Sequence, residues 1–120
     1  MNRKILIVDD DSRLLEALHS LLTFADFAVV TGKDGGEGLA LCKRERPDVI
    51  VSDYMMPELD GLALCEKVQA DPETKNIPFI LMSSSPPSDT TRLHAVLNKP
   101  FEIDALMNVV TEAIQDAGTK

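Results

Sequence analysis

Three carboxylates stand in a row near the start of this chain. Asp9, Asp10 and Asp11 come directly after the apolar run Ile5–Val8. Like charges this close repel, and a carboxylate taken out of water needs a counter-charge or hydrogen bonds to be tolerated. Three more polar residues hold similar positions: Asp53 closes "DVIVSD", Ser83 closes "IPFILMS" and Lys99 comes just after "HAVLN". Carboxylate oxygens bind hard cations and can act as nucleophiles. A hydroxyl donates a hydrogen bond, and an ammonium steadies negative charge. The set is equipped to handle a cation and an anionic group together, provided the fold brings it to one place.

The surrounding pattern does that. Residues 5–8 are short, β-branched and flanked by charge, so they read as a strand buried on both faces. Further strands are expected at 27–31, 48–53, 77–83 and 94–98. Between them lie amphipathic stretches. Leu14, Leu15, Leu18, Leu21 and Leu22 recur at helical spacing over 12–25, with Ser12 as the expected cap and the aspartates near the positive helix end. "GKDGGEG" reads as a turn leading into a helix that Pro47 ends. Leu62, Leu64, Cys65 and Val68 mark another helix to about Ala70, and Ile103, Leu106, Met107, Val110 and Ile114 mark the last, over 102–117. Alternating strands and helices imply a parallel sheet covered on both faces, with function at the carboxyl ends of the strands. Asp9, Asp10, Asp53, Ser83 and Lys99 all fall at such ends.

Length and charge bound the rest. A chain of 120 residues reads as a single domain over 1–120. Its net charge of −8 argues against direct partnership with nucleic acid or an anionic membrane. The apolar run after "MNRK" is too short for a signal peptide and no stretch reaches membrane-spanning length, so a cytoplasmic location is expected. Cys42 and Cys65 match no metal spacing and read as reduced packing residues. His19 and His94 have no ligand-spaced partner and read as structural, while Met55, Met56 and Met82 read as packing residues.

Four segments in order, "VDDD" at 8–11, "DYMMPELDG" at 53–61, "IPFILMSS" at 77–84 and "NKPF" at 98–101, resemble the receiver domain of two-component response regulators. The resemblance runs from Lys4 through the last helix. It implies an α/β, flavodoxin-like, doubly wound five-stranded parallel sheet in the order 2-1-3-4-5. It implies that Asp53 accepts a phosphoryl group from the phosphohistidine of a sensor histidine kinase or a histidine phosphotransfer protein, and that an output partner or domain then responds. In that strand order Asp9, Asp10 and Asp53 cluster, and their hard oxygens suit Mg²⁺. By similarity, Asp10, Asp53 and the Met55 backbone carbonyl bind the metal directly and Asp9 binds directly or through water. Ser83 and Lys99 then serve the phosphoryl oxygens, and the Lys99–Pro100 bond is cis. Asp11 matches no ligand position and reads as a solvated residue at the start of the first helix. Activity is expected to stop at self-catalysed phosphotransfer and slow autodephosphorylation.

Two other functions fit parts of the pattern. An aspartate-nucleophile phosphatase of the haloacid dehalogenase type would use Asp9 and Asp11, but Arg13 occupies the position where that pattern has Thr or Val, and "DYMMPELDG" has no role there. A degenerate receiver that only binds partners is the other, against which every acceptor, metal, hydroxyl and lysine position is filled. One segment departs from the family: Ser83 and Lys99 are 16 positions apart, where receivers have roughly six more, over one and a half helical turns. With Pro86 and Pro87 inside it, residues 84–92 are expected to form a loop in place of the usual fourth helix, and Val96 stands where an aromatic is common. No DNA-binding motif or output domain is recognisable, which leaves a stand-alone receiver and a piece of a longer protein both open.

Overall fold

The computed structural model of the protein describes residues 2–118. Five parallel strands, β1 (Lys4–Val8), β2 (Ala28–Gly32), β3 (Val49–Asp53), β4 (Phe79–Ser83) and β5 (Ala95–Asn98), form one sheet in the order β2-β1-β3-β4-β5. The helices are α1 (Ser12–Phe24), α2 (Gly35–Glu45), α3 (Gly61–Ala70) and α4 (Ile103–Gly118). This is the flavodoxin-like order expected.

Alternate strand residues feed two cores, as the two-residue period of a strand requires. Ile5, Ile7, Val49, Val51, Ile80 and Met82 face α1 and α4, where Leu15, Leu18, Leu22, Leu106 and Val110 meet them. Leu6, Val8, Ile50, Phe79 and Leu81 face the other way, toward Leu41, Cys42, Leu64, Cys65 and Val68 of α2 and α3. Central strands buried on both faces cannot alternate apolar with polar, which is why "ILIV" and "VIV" are continuous. Cys42 and Cys65 are free thiols in the second core, and burial pushes both up to about 11. Neither is poised to react.

Local chemistry sets the helix starts. Asp11, not Ser12, caps α1: its backbone is extended and its Oδ1 accepts from the N–H groups of Arg13 (3.0 Å) and Leu14 (3.3 Å). Ser12 is already helical, because the extended Asp11 backbone lets its carboxylate reach the first free N–H groups before the serine can. "GKDGGEG" divides into the end of β2, a cap and the first turn of α2. Asp34 Oδ1 accepts from Glu37 N–H (2.8 Å) and Glu37 Oε1 accepts from Lys33 N–H (3.2 Å), a reciprocal pair that satisfies two open donors. Arg46 closes α2 in the left-handed conformation before Pro47.

No helix forms between β4 and β5. Residues 84–94 run as a loop with one turn, closed by Leu93 N–H donating to the Thr90 carbonyl (3.0 Å) and by Asp89 Oδ1 accepting from Thr91 N–H and hydroxyl. Pro86 and Pro87 lack donors, and the stretch 88–94 is too short for a helix before β5 takes the chain. The loop is tied down at its far end, where the Arg92 carbonyl accepts from Gln69 Nε2 of α3 (2.8 Å).

Candidate functional site

The carboxyl end of β1 delivers Asp9 and Asp10 with opposite exposures. Asp9 is fully buried and Asp10 is exposed. Asp9 N–H donates to the Gly32 carbonyl (3.1 Å), which adds one rung beyond β1 and fixes the residue below the surface. Its Oδ1 accepts from Asp11 N–H (2.9 Å). The same residue that caps α1 therefore also aims the Asp9 carboxylate.

Asp53 closes β3, the neighbour of β1 in the sheet, and is almost wholly buried. The stretch after it is folded back tightly. Tyr54 N–H donates to the Met82 carbonyl (2.9 Å) and Gly61 N–H to the Tyr54 carbonyl (2.9 Å), while Asp60 caps α3 through Ala63 N–H (2.9 Å). A side chain at 61 would collide with the Asp53 carbonyl and lie 2.6 Å from Leu81 Cδ1, so the "DG" pair belongs to the site's scaffold. Met56 packs into the core, whereas Met55 is 69% exposed. The reading of Met55 as a packing residue is thus corrected: the loop beyond β3 has the core on one side only, so Met56 packs against it and Met55 faces solvent.

Carboxylate oxygens of Asp9, Asp10 and Asp53 come within 4.8 Å of one another. Lys99 reaches into this group from beyond β5, its Nζ 3.0 Å from Asp9 Oδ2 and 3.0 Å from Asp53 Oδ1. This ammonium is a counter-charge that offsets the repulsion among the carboxylates. Burial pushes the Asp9 carboxyl above the ordinary aspartate range and the Asp53 charge adds to the rise, against the pull of Asp11 N–H and Lys99. For Lys99, burial works to lower the affinity for its proton, but the hydrogen bonds to Asp9 and Asp53 outweigh it and the result lies above the ordinary lysine value. The lysine is held firmly charged.

Ser83 closes β4, buried, and its Oγ accepts from Ser85 N–H (2.9 Å). Its carbonyl accepts from Lys99 N–H (3.0 Å), which ties the last rung of β4 to the lysine backbone. The Lys99–Pro100 bond is cis, as expected. Two contacts escaped the sequence reading: the direct pairing of Lys99 with the carboxylates, and the Asp11 N–H bond to Asp9. An aspartate accepting from the N–H two residues on is a common turn, so "DDDS" carried a signal for the second. The first joins Lys99 to residues far off in the chain, 90 positions away for Asp9, and had none. His94 lies just before β5 and pairs with Asp116 (3.5 Å), away from this cluster, and His19 is exposed on α1.

Beside the cluster runs an open groove of about 390 Å³, lined by Asp11, Leu14, Ser84, Lys99, Pro100 and Phe101. Leu21 and Phe24, 48% and 82% exposed, extend an apolar stripe along α1 from Leu14.

The family profile of the response regulator receiver domain matches residues 5–111. The chain belongs to this family. It is 39% identical over 84 residues to the response regulator PleD of Caulobacter vibrioides, covering 70% of this chain and 18% of that protein. It is 35% identical over 108 residues to the response regulator MprA of Mycolicibacterium vanbaalenii, covering 87% and 47%. The chain thus spans less than half the length of these relatives. Among solved structures, the chemotaxis protein CheY4 of Vibrio cholerae superposes with a TM-score of 0.87 at 26% identity, covering 94% of this chain and 99% of that one. The receiver domain of a histidine kinase from Syntrophus aciditrophicus gives 0.85 at 31% identity, covering 95% and 91%. The family is one of regulatory phosphoacceptor domains, which excludes the dehalogenase-type reading. No helix among the described residues is long and apolar enough to cross a membrane.

Proposed function

We propose that this receiver domain takes a phosphoryl group onto Asp53 from the phosphohistidine of a sensor histidine kinase or a histidine phosphotransfer protein, and that the phosphorylated form switches an output partner or domain. The observation that carries the reading is the Lys99 ammonium placed 3.0 Å from Asp53 Oδ1 inside a cluster of three carboxylates. An Asp53 oxygen attacks phosphorus, the bond from phosphorus to the donor imidazole nitrogen breaks, and the imidazole keeps the electron pair. Asp53 then carries the phosphoryl group as an acyl phosphate. Lys99 is placed to exchange its Asp53 contact for a phosphoryl oxygen, and the Ser83 hydroxyl keeps its proton to donate to another, since Oγ acts as acceptor toward Ser85.

The donor set fits Mg²⁺: three carboxylates with mutually close oxygens, one exposed and so open to water, are what a small hard cation takes. Asp10, Asp53 and the Met55 carbonyl would hold it directly, with Asp9 direct or through water. When bound, the ion supplies positive charge to the phosphoryl oxygens in the transition state. Asp11 is committed to the α1 cap, which supports leaving it out of the ligand set. The groove beside Lys99 and the stripe of Leu14, Leu21 and Phe24 favour a phosphodonor that approaches as a helix lying along α1.

Incubation with Mg²⁺ and acetyl phosphate, then intact mass, tests the assignment. One acid-stable, base-labile adduct is expected, and Asp53→Asn abolishes it. Undiminished labelling of that variant would overturn Asp53 as the acceptor.

A further inference from the structure

Helix α1 offers solvent more apolar surface than a helix packed on one face requires. Leu15, Leu18 and Leu22 face the core. Leu14, Ala17, Leu21 and Phe24 form a second row along its flank, spaced three, four and three residues apart, the spacing of a coiled-coil seam. Leu14 is half-buried and Ala17 is exposed. Leu21 and Phe24 are two of the three large hydrophobic residues exposed among the described residues. A single exposed apolar side chain is ordinary, but a row of them marks a contact surface.

The two ends of the row complement each other. At its start, Leu14 lines the open groove with Pro100 and Phe101, and exposed Arg13 stands beside it. At its end Phe24 projects, with exposed Asp26 two residues on. The chain is fastened there: Ala25 N–H donates to the Leu21 carbonyl (3.2 Å) and Asp26 N–H to the Thr23 carbonyl (3.0 Å). Neither Arg13 nor Asp26 forms an ion pair among the described residues. One end thus carries an apolar hollow and a positive charge. The other, about 15 Å along the helix, carries an apolar projection and a negative charge. Such a patch is complementary to itself when turned through a two-fold axis.

We propose that α1 packs antiparallel against α1 of a second copy of this chain. About a two-fold axis at position 19, Phe24 enters the partner's groove beside Leu14. Leu21 packs over the partner's Ala17, whose small side chain leaves room for it, and Arg13 meets the partner's Asp26. Each contact occurs twice. The same face takes the phosphodonor helix in the function proposed above, so the paired form shuts that donor out; this consequence rests on that reading, and the pairing itself does not.

Sedimentation velocity of the full chain in chelator, from about 10 μM to about 1 mM, tests the pairing. No phosphodonor is present, so the outcome is separate from that of Asp53 labelling. A dimer that grows with concentration is expected. Phe24→Glu should weaken it at least about tenfold. Arg13→Asp and Asp26→Lys each set like charges against each other at both meeting points and should each weaken it about threefold. Mixed in equal amounts, these two variants set opposite charges at both points and should dimerise with about the parent affinity. All three positions are exposed, so the fold survives the changes, and amide-correlation spectra check this. A chain that stays monomeric at about 1 mM, parent-like association of Phe24→Glu, or a mixture no tighter than its two components would each overturn the proposal. The first of these would leave the face to the phosphodonor alone.

Discussion

Removing the Lys99 charge tests the electrostatics of the site most directly. Lys99→Met keeps most of the side-chain volume and deletes the ammonium. Asp9, fully buried, is then left with Asp11 N–H as its hydrogen-bond donor, beside a nearly buried Asp53. Removing one partner of a buried pair costs about 3–5 kcal/mol. Two effects reduce this. The lysine side chain is 26% exposed, so solvent already screens part of the interaction. The protein can also protonate Asp9 instead: from an ordinary value of 3.8, doing so at pH 7 costs about 4 kcal/mol, which caps the loss from that residue. The net loss in metal-free buffer is then about 2–3 kcal/mol, or roughly 8–12 °C in melting temperature for a chain of this size. The pH dependence has a defined sign. Because the folded value of Lys99 is raised, its contribution is in place below the ordinary lysine value and is lost as pH rises through the folded one. On the acid side the gap between parent and variant closes as Asp9, itself raised, takes up its proton. Thermal melts in chelator from pH 4 to 9 measure the closure on the acid side and the constant gap below the ordinary lysine value. A variant that melts within about 2 °C of the parent at neutral pH, or a gap that persists undiminished in acid, would refute the reasoning.

Three further outcomes are expected. Asp10→Asn should raise the melting temperature in chelator, because it removes a charge that Lys99 does not contact, and should blunt the stabilisation by millimolar Mg²⁺; a lower melting temperature would mean that repulsion does not dominate there. Gly61→Ala should cost about 1–3 kcal/mol by overpacking and slow labelling by acetyl phosphate, since the new methyl displaces the Asp53 backbone, while exposed Gly36→Ala should do neither; parent-like labelling of Gly61→Ala would break the link between the tight turn and the site. Amides of residues 84–94 should exchange faster than the strands and change protection on adding beryllofluoride, because that loop starts at Ser83; unchanged exchange would remove the loop from the switch.

Periodicity and punctuation were enough to place the elements. Continuous apolar runs marked β1, β3 and β4 because a strand covered on both faces has no polar side to show. Pro86 and Pro87, with the short spacing from Ser83 to Lys99, announced the missing helix because proline and chain length act locally. The polar residues at strand ends were legible for the same reason: each is a break in a local pattern. What the sequence could not express was distance across the sheet. Lys99 bridging Asp9 and Asp53, the exposure of Asp10 against the burial of Asp9, and Met55 turned outward while Met56 turns in are decided where separate strands and loops meet. Side-chain charge is written in the sequence, but its neighbours are chosen by packing, and an ion pair, a burial or a cavity exists only once the chain has closed around it.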